Sequence, residues 1–348
     1  MKLTRRTLLV SGAGAMAALA MPHVARAQNL PRNIRMVIGS TSTGGDTYQN
    51  SAIVAEALAE KLGVNIRVDP VGTNEALNAI GRDPRGTTIM LHHDQIYLSN
   101  LYGVPGIGDP FADFAIGPTI AINPGDSFLV PKTSAYTSME DIFAAAKAGE
   151  RVRVAIQPGG VSEIGFTAMR NAARVRDPGS EANIVPVNTG SQADKNQAMW
   201  DQLADVINGS IQANEQFTQL PDDNRTAMRF VWITARPQTL EQAPEAGYGA
   251  TSREQMLQFA SPQTSVTLDG TRDFAFDKEF FLLFNKEMDT GLADEIDGAL
   301  KEIYAAGDVQ KRQTEAFFIP NYLPRDQAAV HLTEKRDTAA AMINDLKQ

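Results

Sequence analysis

Two glycine-containing loops contain the residues whose types and spacing are best suited to contact a ligand. Residues 39–46 read Gly-Ser-Thr-Ser-Thr-Gly-Gly-Asp, and residues 157–162 read Gln-Pro-Gly-Gly-Val-Ser. Each loop follows a predicted strand and precedes a predicted helix, so unpaired N–H groups and the positive end of the helix dipole lie beside it. Neither loop contains Lys or Arg. The pattern therefore predicts an anion site, with a carboxylate held by backbone amides and hydroxyls.

A third loop, residues 188–192, reads Asn-Thr-Gly-Ser-Gln and also precedes a predicted helix. One such loop is a weak signal, but two loops in different parts of an α/β fold are able to face each other across a cleft. The alternative interpretation of the first loop is an ordinary strand–helix turn in which Asp46 caps the helix. On local features alone the two interpretations have equal weight.

The sequence His92-His93-Asp94 ends a predicted strand and raises the question of a metal site. Adjacent residues of a strand point to opposite faces, and no third or fourth ligand follows at a suitable spacing. We therefore predict no metal, and we expect His93 or Asp94 to line a cleft instead. His331 lies in a polar late helix and is expected to face solvent.

Motifs of hydrolytic enzymes are missing from the sequence. It contains no Gly-x-Ser-x-Gly, no Ser-x-x-Lys, no His-Glu-x-x-His and no Cys. The segment Gly160-Val161-Ser162-Glu163 comes nearest, but its second glycine follows one residue late. A Ser-His-carboxylate site assembled from distant residues stays open as an alternative. We predict no catalytic residue and no cofactor.

Predicted strands and helices alternate along the chain, which positions the loops at strand ends. A βαβαβ pattern over residues 33–92 predicts a parallel sheet with helices on both faces, and the pattern restarts near residue 127. We expect a two-lobed α/β fold with parallel-rich sheets flanked by helices and a ligand cleft between the lobes. Lobe I is predicted to comprise residues 28–125 and 275–348, and lobe II residues 126–274. The chain then crosses between the lobes near residues 123–128 and 270–279.

The first 27 residues have the pattern of an export signal. A basic start containing Arg5-Arg6 precedes a short apolar run, and Val24-Ala25-Arg26-Ala27 predicts cleavage after Ala27. The arginine pair indicates a twin-arginine signal, whereas the alternative, a membrane anchor, needs a longer apolar run. Removing four basic residues from 32 basic and 41 acidic ones leaves a net charge of −13 on the mature chain. This charge argues against nucleic acid as a partner, and we expect a periplasmic monomer.

In their order and spacing these segments resemble the periplasmic receptors of the tripartite tricarboxylate transporters. That family's Ile-Arg-x-Val-Val-Pro strand and following Gly-Gly pair resemble residues 34–38 and Gly44-Gly45. Its Pro-Asp-Gly-Tyr-Thr segment resembles residues 83–87, and its Gly-Ser-x-Gly-x-Gly loop resembles residues 159–162. Its Val-Pro-Tyr-Lys-Gly and Glu-x-Gly-Tyr segments resemble residues 185–190 and 245–248. No single motif is specific, but together they extend over most of residues 30–348.

The resemblance implies a type II periplasmic-binding-protein fold, a di- or tricarboxylate or related organic acid as ligand, and membrane permease subunits as partners. The ligand contacts that it implies, together with Ser42, Tyr48, His93 and Asn208, give the candidate set Ser42, Thr43, Gly44, Gly45, Tyr48, His93, Gly160, Val161, Ser162, Thr189, Gly190 and Asn208.

The sequence also departs from the family's pattern. The family's Asp in the first loop falls on Tyr48, which is suited to stack on a flatter or longer ligand. A later Asp of the family falls near Asn208, and its Lys falls on Asn188. These replacements leave the identity of the ligand open. The alternatives are a receptor for a non-carboxylate solute or for signalling, and an exported hydrolase.

Overall fold

A computed structural model describes residues 30–347, with side chains as far as residue 344. The predicted export signal, with Arg5-Arg6 and the cleavage point after Ala27, lies outside the described residues. Within the described range the strands are β1 (Asn33–Ile38), β2 (Asn65–Pro70), β3 (Thr88–His93), β4 (Phe114–Asn123), β5 (Asp126–Pro131), β6 (Val152–Ile156), β7 (Ile184–Asn188), β8 (Val206–Ser210), β9 (Met228–Ile233), β10 (Lys278–Asn285) and β11 (Ile319–Pro320).

The helices of the same range flank these strands. They are α1 (Asp46–Leu62), α2 (Thr73–Gly81), α3 (Gln95–Leu101), α4 (Pro110–Asp113), α5 (Met139–Lys147), α6 (Val161–Arg176), α7 (Gln192–Trp200), α8 (Ile211–Thr218), α9 (Pro237–Leu240), α10 (Arg253–Leu257), α11 (Thr290–Ala306), α12 (Asp308–Glu315) and α13 (Arg325–Lys347). A 3-10 turn occupies Ser180–Asn183.

The strands form two sheets. The first has the order β11-β4-β10-β3-β1-β2, and the second has the order β7-β6-β8-β5-β9. Strands β1, β2 and β3 are parallel, as are β6, β7 and β8, whereas β10, β4, β5 and β9 run antiparallel to their neighbours. The chain leaves the first sheet after Asn123 and returns to it at Lys278. The predicted two-lobed α/β fold is therefore confirmed.

Helix α1 shows how the sequence places the first loop. Ile53, Val54 and Leu58 form its buried stripe at helical spacing, which packs the helix onto the sheet. Gly63 ends the helix with a left-handed φ of 67°, and its N–H donates to the carbonyl of Ala59. The stripe and the cap hold α1 against the sheet, and its N-terminus lies beyond the carboxyl end of β1.

Strand β4 is the largest element that the sequence pattern missed. Pro118 interrupts its apolar run, and a proline in a central strand normally argues against a strand. The pairing of β10 with β4 shifts between Phe281 and Leu283, so the Gly117-Pro118 step lies in an irregularity of the ladder. A Cβ at Gly117 would lie 2.7 Å from the Cβ of Leu282. The bulge thus accommodates a sequence that periodicity alone rejects.

In the part of the chain that the structure describes, no helix is both long enough and apolar enough to cross a membrane.

Replacing Gly117 by Ala should destabilise the protein, whereas replacing Gly298 by Ala should stabilise it. The new methyl group at Gly117 would overlap Leu282, and overpacking of this kind costs about 1–3 kcal/mol. Gly298 lies inside α11 with no atom within 4 Å of a new Cβ, so alanine there should contribute about 0.5–1 kcal/mol. Urea unfolding of both variants measures the difference. Equal stabilities would contradict the packing described for β4.

Candidate functional site

One cleft brings the predicted loops together. It has a volume of about 690 Å³ and is lined by loops that follow strands of both sheets. From the first sheet come the loop after β1, the histidines at the end of β3 and Lys278 of β10. From the second sheet come the loops after β6, β7 and β8 and Asp126 of β5. The site therefore lies at carboxyl ends of parallel strands, where ligands of open α/β sheets bind.

Eight of the twelve candidate residues line this cleft. They are Ser42, Gly44, Gly45, His93, Gly160, Val161, Ser162 and Gly190.

The other four candidates, Thr43, Tyr48, Thr189 and Asn208, are not among the residues that line the cleft. Thr43 is exposed and Tyr48 is half-buried. The hydroxyl of Thr189 donates to the carbonyl of Ile156 at 2.9 Å. Asn208 is fully buried behind Ser162, whose hydroxyl donates to its Oδ1 at 2.5 Å. Asn208 therefore supports the wall of the cleft from behind.

Four helix N-termini face the cleft. Helices α1 and α6 begin after Gly45 and Gly160, and neither glycine provides a side-chain cap, although Asp46 accepts from the N–H of Thr47 in α1. Helices α7 and α8 begin after Ser191 and Ser210, each of which accepts a hydrogen bond from its own first turn. Each N-terminus carries about half a positive charge. The two uncapped ends come from opposite lobes, so an anion between the lobes meets unpaired N–H groups from both.

A buried ion pair of the first lobe lies at one side of the cleft, and Asn123 links it to the second lobe. Lys278 and Asp46 form a salt bridge, with side-chain exposures of 11% and 16%. Nδ2 of Asn123 donates to Oδ2 of Asp46 at 2.7 Å and to Oε1 of Gln212 at 2.9 Å. Burial alone would raise the pKa of Asp46, but Lys278 and these hydrogen bonds hold it below its ordinary value. Oδ1 of Asp46 also accepts from the N–H of Thr47 in the first turn of α1 at 2.7 Å, so the same carboxylate serves Lys278, Asn123 and the helix end.

Lys195 is the second cation of the cleft, and its environment differs from that of Lys278. Its side chain lies in the first turn of α7 and is 5% exposed. Nζ donates to Oδ1 of Asn208 at 3.1 Å, and no carboxylate of the described residues forms an ion pair with it. Burial lowers the pKa of Lys195 to about 8. A buried ammonium whose partner is a neutral amide is poised to receive an anion.

The histidines of the cleft are neutral. Burial, reinforced by the charge of Lys278, lowers the pKa of His92 to about 3 and that of His93 well below its ordinary value. Nδ1 of His92 is buried and has no partner among the described residues. Any side chain at Gly39 would overlap the His92 ring, so the first loop runs directly over the imidazole. No group of three metal-ligating side chains occurs within residues 30–344.

Asp94 and His331 belong to a separate charge network. Asp94 is fully buried and accepts hydrogen bonds from Tyr97 at 2.6 Å and from Nζ of Lys335 at 2.8 Å. It does not line the cleft, unlike His93. His331 is one-third exposed, and its Nε2 lies 2.8 Å from Glu279. The expectation that His331 faces solvent was therefore wrong, because a carboxylate on β10 binds its ring.

Lys195, Lys278 and Asp126 also line the cleft, and none of them was predicted from the sequence. The loops predicted an anion site without any cationic side chain. Two signals were present in the sequence. Lys195 lies in the first turn of a helix, where the dipole disfavours a cation, and Lys278 opens a strand whose centre is apolar. A charged residue in either position requires a local partner or a function.

The fold is shared with a class of known proteins. The chain has the two-lobed fold of the periplasmic solute-binding proteins. No protein-family model matches the chain, and no curated protein matches it in sequence. Among solved structures it is similar to MatC from Rhodopseudomonas palustris with bound malate, with 17% identity and a TM-score of 0.65 over 92% of this chain and 100% of that one.

Two further structures show the same likeness. The R. palustris protein Rpa4515 with adipate has 15% identity and a TM-score of 0.64 over 89% of this chain and 97% of that one. A TctC solute-binding protein from Polaromonas has 14% identity and a TM-score of 0.60 over 90% of this chain and 98% of that one. At such identities the likeness concerns the fold. The resemblance indicated by the sequence motifs is confirmed at that level.

The two lysines of the cleft should respond oppositely to replacement by methionine. Lys278→Met leaves Asp46 buried without its partner and should destabilise the protein by about 3–5 kcal/mol. Lys195→Met removes a cation that burial disfavours. Lowering a pKa from 10.5 to about 8 corresponds to roughly 3 kcal/mol, so this variant should be as stable as the wild type or more stable at neutral pH.

The pH dependence of the free energy of unfolding tests whether the Lys195 charge destabilises the folded protein. The unfolded chain protonates Lys195 below pH 10.5, and the folded protein does so below about pH 8. The penalty is therefore fully present below pH 8 and disappears as the pH rises to 10.5. Urea unfolding of wild type and Lys195→Met across that window should show the advantage of the variant shrinking. A variant much less stable than the wild type at pH 7 would contradict this environment for Lys195.

Proposed function

We propose that this protein is an extracytoplasmic solute-binding receptor that captures a small carboxylate between its lobes for a tripartite tricarboxylate-type transporter. The observation that carries the proposal is the unneutralised ammonium of Lys195 in the cleft that the uncapped ends of α1 and α6 also face. A bound carboxylate would accept hydrogen bonds from the Lys195 ammonium and from the N–H groups at both helix ends. The protein is proposed to act in the periplasm after removal of residues 1–27.

The energetics favour an anion with compact charge. Each helix N-terminus stabilises a negative group by about 0.3–1 kcal/mol, and by up to about 2 kcal/mol where it is partly buried. A hydrogen bond between Lys195 and a carboxylate contributes about 1.5–3 kcal/mol more. These contributions need no conformational change at Lys195, because burial and Asn208 already hold its side chain in place.

Size and resemblance support a small organic acid. A volume of about 690 Å³ lies in the range of small-molecule sites. The structures of MatC with malate and of Rpa4515 with adipate show that this fold accommodates such acids. Asn208 lies near the position where the resemblance places an Asp, and an Asp there would neutralise Lys195. With asparagine at this position, the ligand is the group that would neutralise Lys195.

Delivery to a permease would use the two-lobed architecture. The crossing segments between Asn123 and Asp126 and between Ile233 and Lys278 are the proposed hinge, and ligand would favour the closed arrangement of the lobes. Lobe I is proposed to comprise residues 28–125 and 275–348, and lobe II residues 126–274.

The contacts of Ser162 argue for binding rather than catalysis. Its hydroxyl donates to Asn208 and accepts from the N–H of Gln157 at 3.0 Å. A serine nucleophile needs a hydrogen bond to a general base, usually an imidazole. The histidines of this cleft bond elsewhere, because Nδ1 of His93 accepts from the N–H of Gln95 at 3.3 Å. A receptor requires no such activation.

A thermal-shift screen of the mature protein against malate, adipate, citrate and other small acids tests the proposal. A ligand that binds only the folded state raises the melting temperature. In Lys195→Met the affinity for the best acid should fall by about 10- to 100-fold. Lys132→Met is the matched control, since Lys132 is also on lobe II and largely buried but does not line the cleft. Loss of affinity in the control, or its retention in Lys195→Met, would contradict the assignment.

The affinity should also depend on pH through Lys195. A carboxylate binds the ammonium form, which predominates below about pH 8 in the free protein. The affinity should be constant from pH 6 to 8 and then fall by up to about tenfold per pH unit. Calorimetric titrations from pH 6 to 10 measure this fall, and Lys195→Met should lack it. The same fall in that variant would exclude Lys195 as its cause.

A further inference from the structure

Asp126 is a carboxylate of the cleft whose oxygens have no partner among the described residues. It is 7% exposed, and it opens β5 directly after the chain enters the second sheet. Its backbone is fixed, because its N–H donates to Oγ1 of Thr234 at 2.8 Å and its carbonyl accepts from the N–H of Thr234 at 2.9 Å. Its carboxylate lines the cleft and accepts no hydrogen bond from these residues. A buried charge without hydrogen bonds costs free energy, so this position calls for a donor from outside the chain.

The cations of the cleft do not provide that donor. Lys278 is committed to Asp46, and Lys195 donates to Asn208. Both lysines influence Asp126 through space, but neither forms an ion pair with it. Burial accordingly raises the pKa of Asp126 above its ordinary value. The second sheet thus presents to the cleft a cation and a carboxylate, and neither forms an ion pair with a described residue.

The strand register fixes the arrangement of these two groups. Asp126 lies opposite Ser210 in the antiparallel pair of β5 and β8, and Asn208 is two residues away from Ser210 on the same face. Such diagonal neighbours have Cα atoms roughly 7–8 Å apart. Because Asn208 holds Nζ of Lys195, the cation and the carboxylate face the cleft from adjacent positions. Both groups line the cleft, so neighbouring groups of one small ligand are able to contact them.

We propose that the ligand is a carboxylic acid with a hydrogen-bond donor, a hydroxyl or an ammonium, on the carbon next to its carboxylate, with Lys195 binding the carboxylate and Asp126 the donor. The inference rests on the proposed function and narrows it. An acid without this donor would leave Asp126 buried and unsatisfied. A site built to pair with such a group discriminates strongly against analogues that lack it.

Matched acids of several chain lengths test the inference by calorimetry on the mature wild-type protein. The series pairs succinate with malate and aspartate, glutarate with 2-hydroxyglutarate and glutamate, and propionate with lactate and alanine. At whichever length binds, the hydroxy or amino acid should bind on the order of tenfold tighter or more than the unsubstituted acid. Which substituent binds tighter distinguishes a hydroxyl from an ammonium. Equal or tighter binding of the unsubstituted acid would overturn the inference and leave the proposed function intact.

The Asp126→Asn variant tests whether Asp126 causes the preference for the hydroxy or amino acid. Asp126→Asn should reduce the preference to within about threefold, because the amide is a weaker acceptor than the carboxylate. Asp269→Asn, in an exposed loop outside the cleft, is the control and should keep the preference of the wild type. A preference that survives in Asp126→Asn would overturn the assignment to Asp126. If no acid of these series and none of the acids in the thermal-shift screen binds the wild type, the proposed function itself fails.

Discussion

The burial of Lys195 without a carboxylate partner is the interaction on which the rest of the site depends. Its ammonium lies in the first turn of α7, where the helix dipole opposes it, and its hydrogen-bond acceptor among the described residues is the neutral side chain of Asn208. Burial lowers the pKa of Lys195 to about 8. The folded protein therefore carries an unfavourable charge that a bound anion would relieve. A binding site gains affinity from such an arrangement, because the cost of desolvating the cation is met during folding.

The rest of the fold holds that charge at the boundary between the lobes. Parallel strands of both sheets end at the cleft, and the uncapped N-termini of α1 and α6 approach it from opposite sides. The pair of Lys278 and Asp46 neutralises itself, and Asn123 connects it to Gln212 of the second lobe. Within the cleft Lys195 and Asp126 consequently remain as charges that form no ion pair with a described residue. The proposed ligand contacts and the contact between the lobes thus lie beside one another at the cleft.

Sequence periodicity predicted the fold well because its elements are regular. The stripe of Ile53, Val54 and Leu58 and the cap at Gly63 determine α1 almost without reference to the rest of the chain. Strand β4 was not predicted, because an irregularity in its pairing with β10 accommodates Gly117 and Pro118. The loops of the cleft were predicted from glycines between strands and helices. The charged residues of the cleft were not predicted. Whether a lysine has an ion-pair partner depends on residues that are distant in sequence, such as Asn208 beside Lys195.

The most direct measurement is an NMR titration of the Lys195 ammonium in protein with isotope-labelled lysine, assigned with Lys195→Met. In the free protein its pKa should be about 8, and saturation with a bound carboxylic acid should raise it by more than one pH unit, because the anion stabilises the protonated form. An ordinary pKa in the free protein would contradict the burial of an unneutralised charge. A pKa that does not change on saturation would show that the ligand binds elsewhere.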